Sequence, residues 1–271
     1  IAADAKIQKL ITDLKSTEAA DDKFRTFLYL THIAAPSREE QYRAEATKEL
    51  FQKYIDRYKA TSVAAQNARV INNPNGVMEG AGLQIVDGLP VYNACMEIKG
   101  TYEGEGYNGQ RPKVLLEGHL DSVNPAHLDG YPNVVKTLMP VYLQNINDPL
   151  VNTPEELAAL PQLKFLENGW ADETDPNYTK IKTRYLDKAA AEAADALRMY
   201  IPSIGDMMLQ TTNVIQTAEF LLKYDIRPHY DLWICGTAGE EGRGNLDGMK
   251  QLFGYSQDGT KADGTVDETL K

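Results

Sequence analysis

Cysteine is nearly absent: Cys95 and Cys235 are the only two in 271 residues. Both lie inside apolar runs, VYNACMEI and LWICGT, so two buried thiols are expected, with no disulfide framework and no CxxC zinc knuckle. Positive charge is scarce as well. The 28 Lys and Arg are outnumbered by 39 Asp and Glu, for a formal charge of -11. That balance lacks the basic face that a nucleic acid or an anionic membrane requires. No stretch approaches the roughly 18 uncharged apolar residues of a membrane-spanning helix, and no charged-then-apolar leader begins the chain. A start at Ile1 rather than Met implies a trimmed N-terminus, by loss of an export signal or of a tag. The compartment therefore stays open between cytoplasmic and exported, for a soluble protein. Nucleophile motifs are missing too. There is no GxSxG elbow, neither cysteine has a histidine and asparagine set, and GEGYNG lacks the strand-to-helix setting of a dinucleotide loop.

What is present is an ordinary globular chain, 42% hydrophobic and long enough for one large domain or two modest ones. Apolar residues at helical spacing run from Ala3 to Leu30. Pro36 breaks that pattern, and Ser37 with Glu40 three residues on matches a capping box for a helix reaching about Tyr58. NARVINN, LPVYNACMEIKG and PKVLLEG read as strands separated by glycine- and asparagine-rich turns. Residues 125–200 are punctuated by proline and carry an alanine-rich helix near DKAAAEAADALRMY; this segment reads as an insertion or lid. A helix from Met207 to Tyr224, a buried strand YDLWICGT and a helix in NLDGMKQLF close the described pattern. The alternation of strand and helix predicts an α/β layered domain with a largely parallel sheet.

Three short stretches carry the chemistry. In VLLEGHLDSVNP, His119 and Asp121 stand two apart just past an apolar strand, so both side chains point the same way. An imidazole can bind a divalent cation while a nearby carboxylate holds its other N–H or reaches the metal region; alone, H-x-D also describes a hydrogen-bonded turn. In GDMM, Asp206 precedes a helix, where it serves equally as an N-cap. In GTAGEEGRG, glycines at 236, 239, 242 and 244 let the chain turn sharply, so that Glu240 and Glu241 project into the cleft beyond the strand ends. With a cation present, one glutamate binds it and the other takes a proton from the water it acidifies. Imidazole mixed with carboxylates suits zinc, manganese or cobalt. His32, His127 and His229 have no such strand-end partner and read as structural or surface residues.

These motifs resemble the zinc metallopeptidase family that contains glutamate carboxypeptidase, aminoacylase and succinyl-diaminopimelate desuccinylase. GHLDSVNP is similar to its first metal motif, Gly205-Asp206 to its second, and GTAGEEGRGNLDGMK to its glutamate motif; APSREEQYRAEATKELF resembles its opening helix. The resemblance implies a three-layer α/β/α sandwich and two divalent metal ions, most simply zinc. It gives His119 and Glu241 as metal ligands and Asp206 as the ligand bridging both ions. Asp121 orients the site, and Glu240 is the general base and acid. The implied substrate is a peptide or N-acyl amino acid, cleaved at an amide. Two departures accompany it: the span from His119 to Asp206 is long for the family, and Lys271 comes before the family's later ligands and its lid or dimerisation domain. Residues 1–271 thus read as a single catalytic-type domain fragment, weakly active or inactive alone, of an enzyme that is a homodimer when full-length. A binding module without catalysis and a related aminopeptidase are the competing expectations.

Overall fold

A computed structural model describes residues 4–37, 39–71, 85–86, 89–104, 107–109, 111–122, 138–201, 207–241, 246–253 and 265–266. The elements run α1 (Ala5–Leu14), α2 (Thr17–Thr31), α3 (Gln41–Tyr58), α4 (Val63–Gln66), β1 (Ala68–Ile71), β2 (Ile85–Val86), β3 (Leu89–Pro90), β4 (Ala94–Ile98) and β5 (Lys113–His119). They continue as β6 (Tyr142–Asn145), α5 (Pro154–Ala158), α6 (Pro176–Leu186), α7 (Lys188–Ala191), β7 (Leu197–Tyr200), α8 (Leu209–Lys223), β8 (Asp231–Thr237) and α9 (Asp247–Leu252).

The central sheet has the order β1-β4-β8-β5. β5 runs parallel to β8, with His119 opposite Thr237. The β1–β4 and β4–β8 pairings are antiparallel, so among the described strands the sheet is mixed rather than largely parallel. Strand alternation sorts its side chains. Met96, Ile98 and Ile234 join one core with Phe51 and Tyr54 of α3 and Ile215 and Leu222 of α8. Cys95, Trp233 and Cys235 belong to a second cluster with Leu252 of α9. The two cysteines are free, fully buried and paired across the β4–β8 register, as their apolar settings suggested. Each large apolar side chain buried in these clusters contributes about 1.5–3 kcal/mol of transfer free energy.

Within residues 138–201, β6 and β7 form a separate antiparallel pair. Val141, Leu143, Leu163, Tyr178 and Ile181 from this stretch enter the same core as α2 and α3. The alanine-rich run is helical only over α7; the residues Leu197, Arg198, Met199 and Tyr200 that follow are the strand β7, because pairing with β6 outweighs the helical preference of the alanines before them. The predicted stripe of the long helix is confirmed: Met208, Ile215, Ala218 and Leu222 are all fully buried. The expected capping box of α3 does not form. Its N-cap is Glu40, with no side-chain capping bond, and both Ser37 and Glu40 are engaged elsewhere. Among the described residues, no helix is long and apolar enough to cross a membrane.

Candidate metal centre

β5 and β8 end side by side, and the site lies just beyond their carboxyl ends. Leu120 N donates to the Thr237 carbonyl at 2.7 Å, which extends the parallel pairing by one residue past His119. Gly118 permits α8 to approach: a Cβ there would lie 2.9 Å from Thr211 Cα. That closeness lets Thr211 Oγ1 donate to the His119 carbonyl at 2.7 Å. The backbone of His119 is thus fixed from two sides.

Asp121 is wholly buried and organises what surrounds it. Its Oδ1 accepts the Glu240 amide at 3.0 Å, and its Oδ2 accepts the Glu241 amide at 2.9 Å and the Ser37 hydroxyl at 2.7 Å. The turn that presents those two amides requires Gly239, whose φ of 60° lies in the left-handed region. Glu40 assists, its Oε1 accepting the Gly239 amide at 2.9 Å. Burial works against the charged form of Asp121, but the contacts from His119, Ser37 and the two amides outweigh it, and its carboxyl titrates below the ordinary range.

The same carboxylate orients the imidazole. His119 Nδ1 lies 3.4 Å from Asp121 Oδ1 and 3.1 Å from the Asp121 carbonyl oxygen. Both partners are acceptors, so Nδ1 carries the proton and Nε2 is the nitrogen that looks out of the protein wall. Burial opposes a charge on His119, yet the Asp121 hydrogen bond, the Asp121 charge and the Glu240 charge lift its pKa to about 9. Nε2 faces Glu240 Oε2 and Glu241 Oε1, each at 3.9 Å. One ligand atom from each of these three residues lies within 4.8 Å of the others. Bonds of about 2.0–2.2 Å to nitrogen and oxygen allow two ligand atoms to stand at most about 4.4 Å apart, a span that the 3.9 Å distances from Nε2 to each glutamate oxygen satisfy.

His119, Asp121, Glu240 and Glu241 therefore come together as their spacing suggested. Asp206 lies outside the described residues, as does His127. His32 is buried and stacks on Phe165 with centroids 3.9 Å apart, while His229 packs against Tyr102 and Tyr230; neither joins the centre.

Neither protein-family models nor curated proteins match this chain.

Two further contributors, Arg43 and Asn93, were not singled out by the sequence. Arg43, fully buried on α3, donates to the carbonyls of Ile33, Leu120 and Thr31 and so fixes the residue between His119 and Asp121. Asn93 holds the other flank of the loop, accepting the Ala238 amide at 3.0 Å and donating to the Gly248 carbonyl at 3.0 Å. A signal for Arg43 did exist: it falls on the α3 stripe with Thr47, Leu50 and Tyr54, where a guanidinium is buried only if carbonyls or carboxylates meet it.

Proposed function

We propose that the chain carries the metal centre of an amidohydrolase that cleaves an amide bond of a peptide or N-acyl amino acid. The observation that supports this best is the convergence of His119 Nε2 with both glutamate carboxylates at 3.9 Å, beside an Asp121 already committed to holding the site together. His119 and Glu241 would hold the ion, and an imidazole with a carboxylate suits zinc, with cobalt or manganese as chemical neighbours. A divalent cation there supplies Lewis acidity toward an amide carbonyl and acidifies water.

The protein residues divide the remaining work. Asp121 keeps Nδ1 protonated, which leaves Nε2 as the nitrogen that would give up its proton to a cation. Glu241, whose side chain is 21% exposed, is the carboxylate ligand; Glu240, at 41%, stands nearer solvent and serves as the base that accepts a proton from the attacking water and returns it to the leaving nitrogen. By the motif resemblance, Asp206 would help to hold a second divalent ion of the same kind. Helical side chains pack against both faces of the central sheet, which supports the three-layer sandwich of that family.

The test pairs zinc titration calorimetry with hydrolysis of N-acyl amino acids, dipeptides and aminoacyl anilides. Glu240→Gln is expected to keep zinc affinity while losing turnover by about 100-fold or more, and Glu241→Gln to lose zinc affinity by about 10–100-fold. Unchanged turnover in Glu240→Gln, or no zinc binding by the unmodified protein, overturns the assignment. Zinc binding without turnover of any substrate points to a binding module, and activity confined to the anilides points to an aminopeptidase.

A further inference from the structure

A cavity of about 450 Å³ opens between α1, α2, α6 and α8, and none of its lining residues belongs to the His119 centre. Its walls are largely apolar, with Leu10 and Leu14 from α1, Tyr185 from α6, and Phe220 from α8. Lys23, Asn213, Gln216 and Thr217 interrupt them. Gln216 is 2% exposed, and neither its Nε2 nor its Oε1 has a hydrogen-bond partner among the described residues. Lys23 is partly buried at the same cavity and makes no ion pair among the described residues; burial lowers its pKa.

The helix over this cavity is unusual in a related way. α1 carries an apolar stripe of Ile7, Leu10, Ile11 and Leu14, yet none of its residues is buried, and Leu14 is 46% exposed. Polar contacts tether it instead: Lys6 Nζ to Asp225 Oδ2 at 2.7 Å, and the Tyr224 hydroxyl to the Asp13 carboxylate. An apolar face held in place beside a void gains from whatever fills that void.

The three features ask for one kind of ligand. A buried carboxamide without partners is unfavourable until a donor or acceptor meets it. A partly desolvated ammonium without a carboxylate gains from an anion. The walls gain from an alkyl chain. We propose that this cavity binds a medium-chain monocarboxylate, the carboxylate taken by the Lys23 ammonium and the Gln216 Nε2–H, the chain laid between α1 and α8. The volume leaves space for a water donating to Gln216 Oε1.

The experiment is calorimetric titration of sodium decanoate, below its micellar concentration, into the full chain in buffer containing EDTA, so that no metal competes for the carboxylate. One saturating site is expected, weakened about tenfold or more by Lys23→Met and by Gln216→Glu. Decanol, which lacks the charge, should bind the unmodified and Lys23→Met proteins equally. Glu241→Gln should leave decanoate affinity unchanged, because the metal centre is elsewhere. Lys23 is on the surface of the cavity, so its replacement tests the proposal even if Gln216→Glu fails to fold, as circular dichroism will show. Equal decanoate affinity in Lys23→Met, loss of affinity in Glu241→Gln, or uptake of many equivalents without saturation overturns it.

Discussion

Asp121 and Gln216 are both almost wholly buried, and they could hardly be treated more differently. Asp121 accepts from two amides and a hydroxyl and lies beside an imidazole N–H; Gln216 has no hydrogen-bond partner among the described residues. The first pattern is that of a group whose partners all come from the chain, used to build geometry for others. The second is that of a group still open to a partner from outside. Burial alone does not separate scaffold from ligand site; the completeness of the hydrogen bonding does.

The comparison can be broken most forcefully at the scaffold end. Arg43→Met leaves the carbonyls of Ile33, Leu120 and Thr31 without their charged donor. A loss of about 4 kcal/mol in urea denaturation is expected, together with loss of zinc affinity, because the residue linking His119 to Asp121 is released. A change below about 1 kcal/mol would mean that the buried guanidinium is not part of the scaffold.

A smaller effect should come from pH. The raised pKa of His119 makes its contribution fully present below the unfolded value of 6.5 and removes it as pH rises through about 9. The lowered pKa of Asp121 makes its contribution present above 3.8 and removes it as pH falls through the lower folded value. In metal-free protein the stability difference between unmodified and His119→Gln chains should therefore be largest between about pH 4 and 6.5 and shrink toward pH 9 by roughly 2 kcal/mol. A flat difference across that range would show that the His119–Asp121 contact carries no ionic component. Metal affinity should move the other way, rising with pH as Nε2 loses competition from the proton.

The least effect is expected at the unsaturated end. Leu14→Ala removes a side chain that is 46% exposed and packs into no core, so thermal unfolding in the absence of ligand should change by less than about 0.5 kcal/mol. The same variant should weaken decanoate binding, which separates a wall of a ligand cavity from ordinary surface.

How much of this was legible in the sequence depended on whether the signal was local. The stripe of α8, the apolar runs of β4, β5 and β8, and the placing of His119 with Asp121 and of Glu240 with Glu241 at strand ends all follow from short-range spacing, whereas the meeting of the two strand ends comes from the parallel β5–β8 pairing. The roles of Ser37 and Glu40 did not, because a capping box and a pair of long-range contacts to Asp121 and Gly239 look identical in one dimension. β7 was hidden by the alanines preceding it, since only its pairing with β6 makes it a strand. The antiparallel placement of β4 beside β8 was equally invisible, as strand direction is set by connections and not by composition. The cavity left no motif at all: it is assembled from residues on four helices whose individual sequences are unremarkable.

Asp121 grips the loop after β8 through the amides of Glu240 and Glu241, not through their side chains. Any residue with an N–H can occupy those positions without disturbing the grip, so the chemistry presented by the loop is exchangeable. Its length is not. Adding or deleting one residue between Thr237 and Glu241 would bring the wrong amides to the carboxylate and turn the intended side chains away from His119. Along this stretch, variation that repurposes the site should arise by substitution and never by insertion.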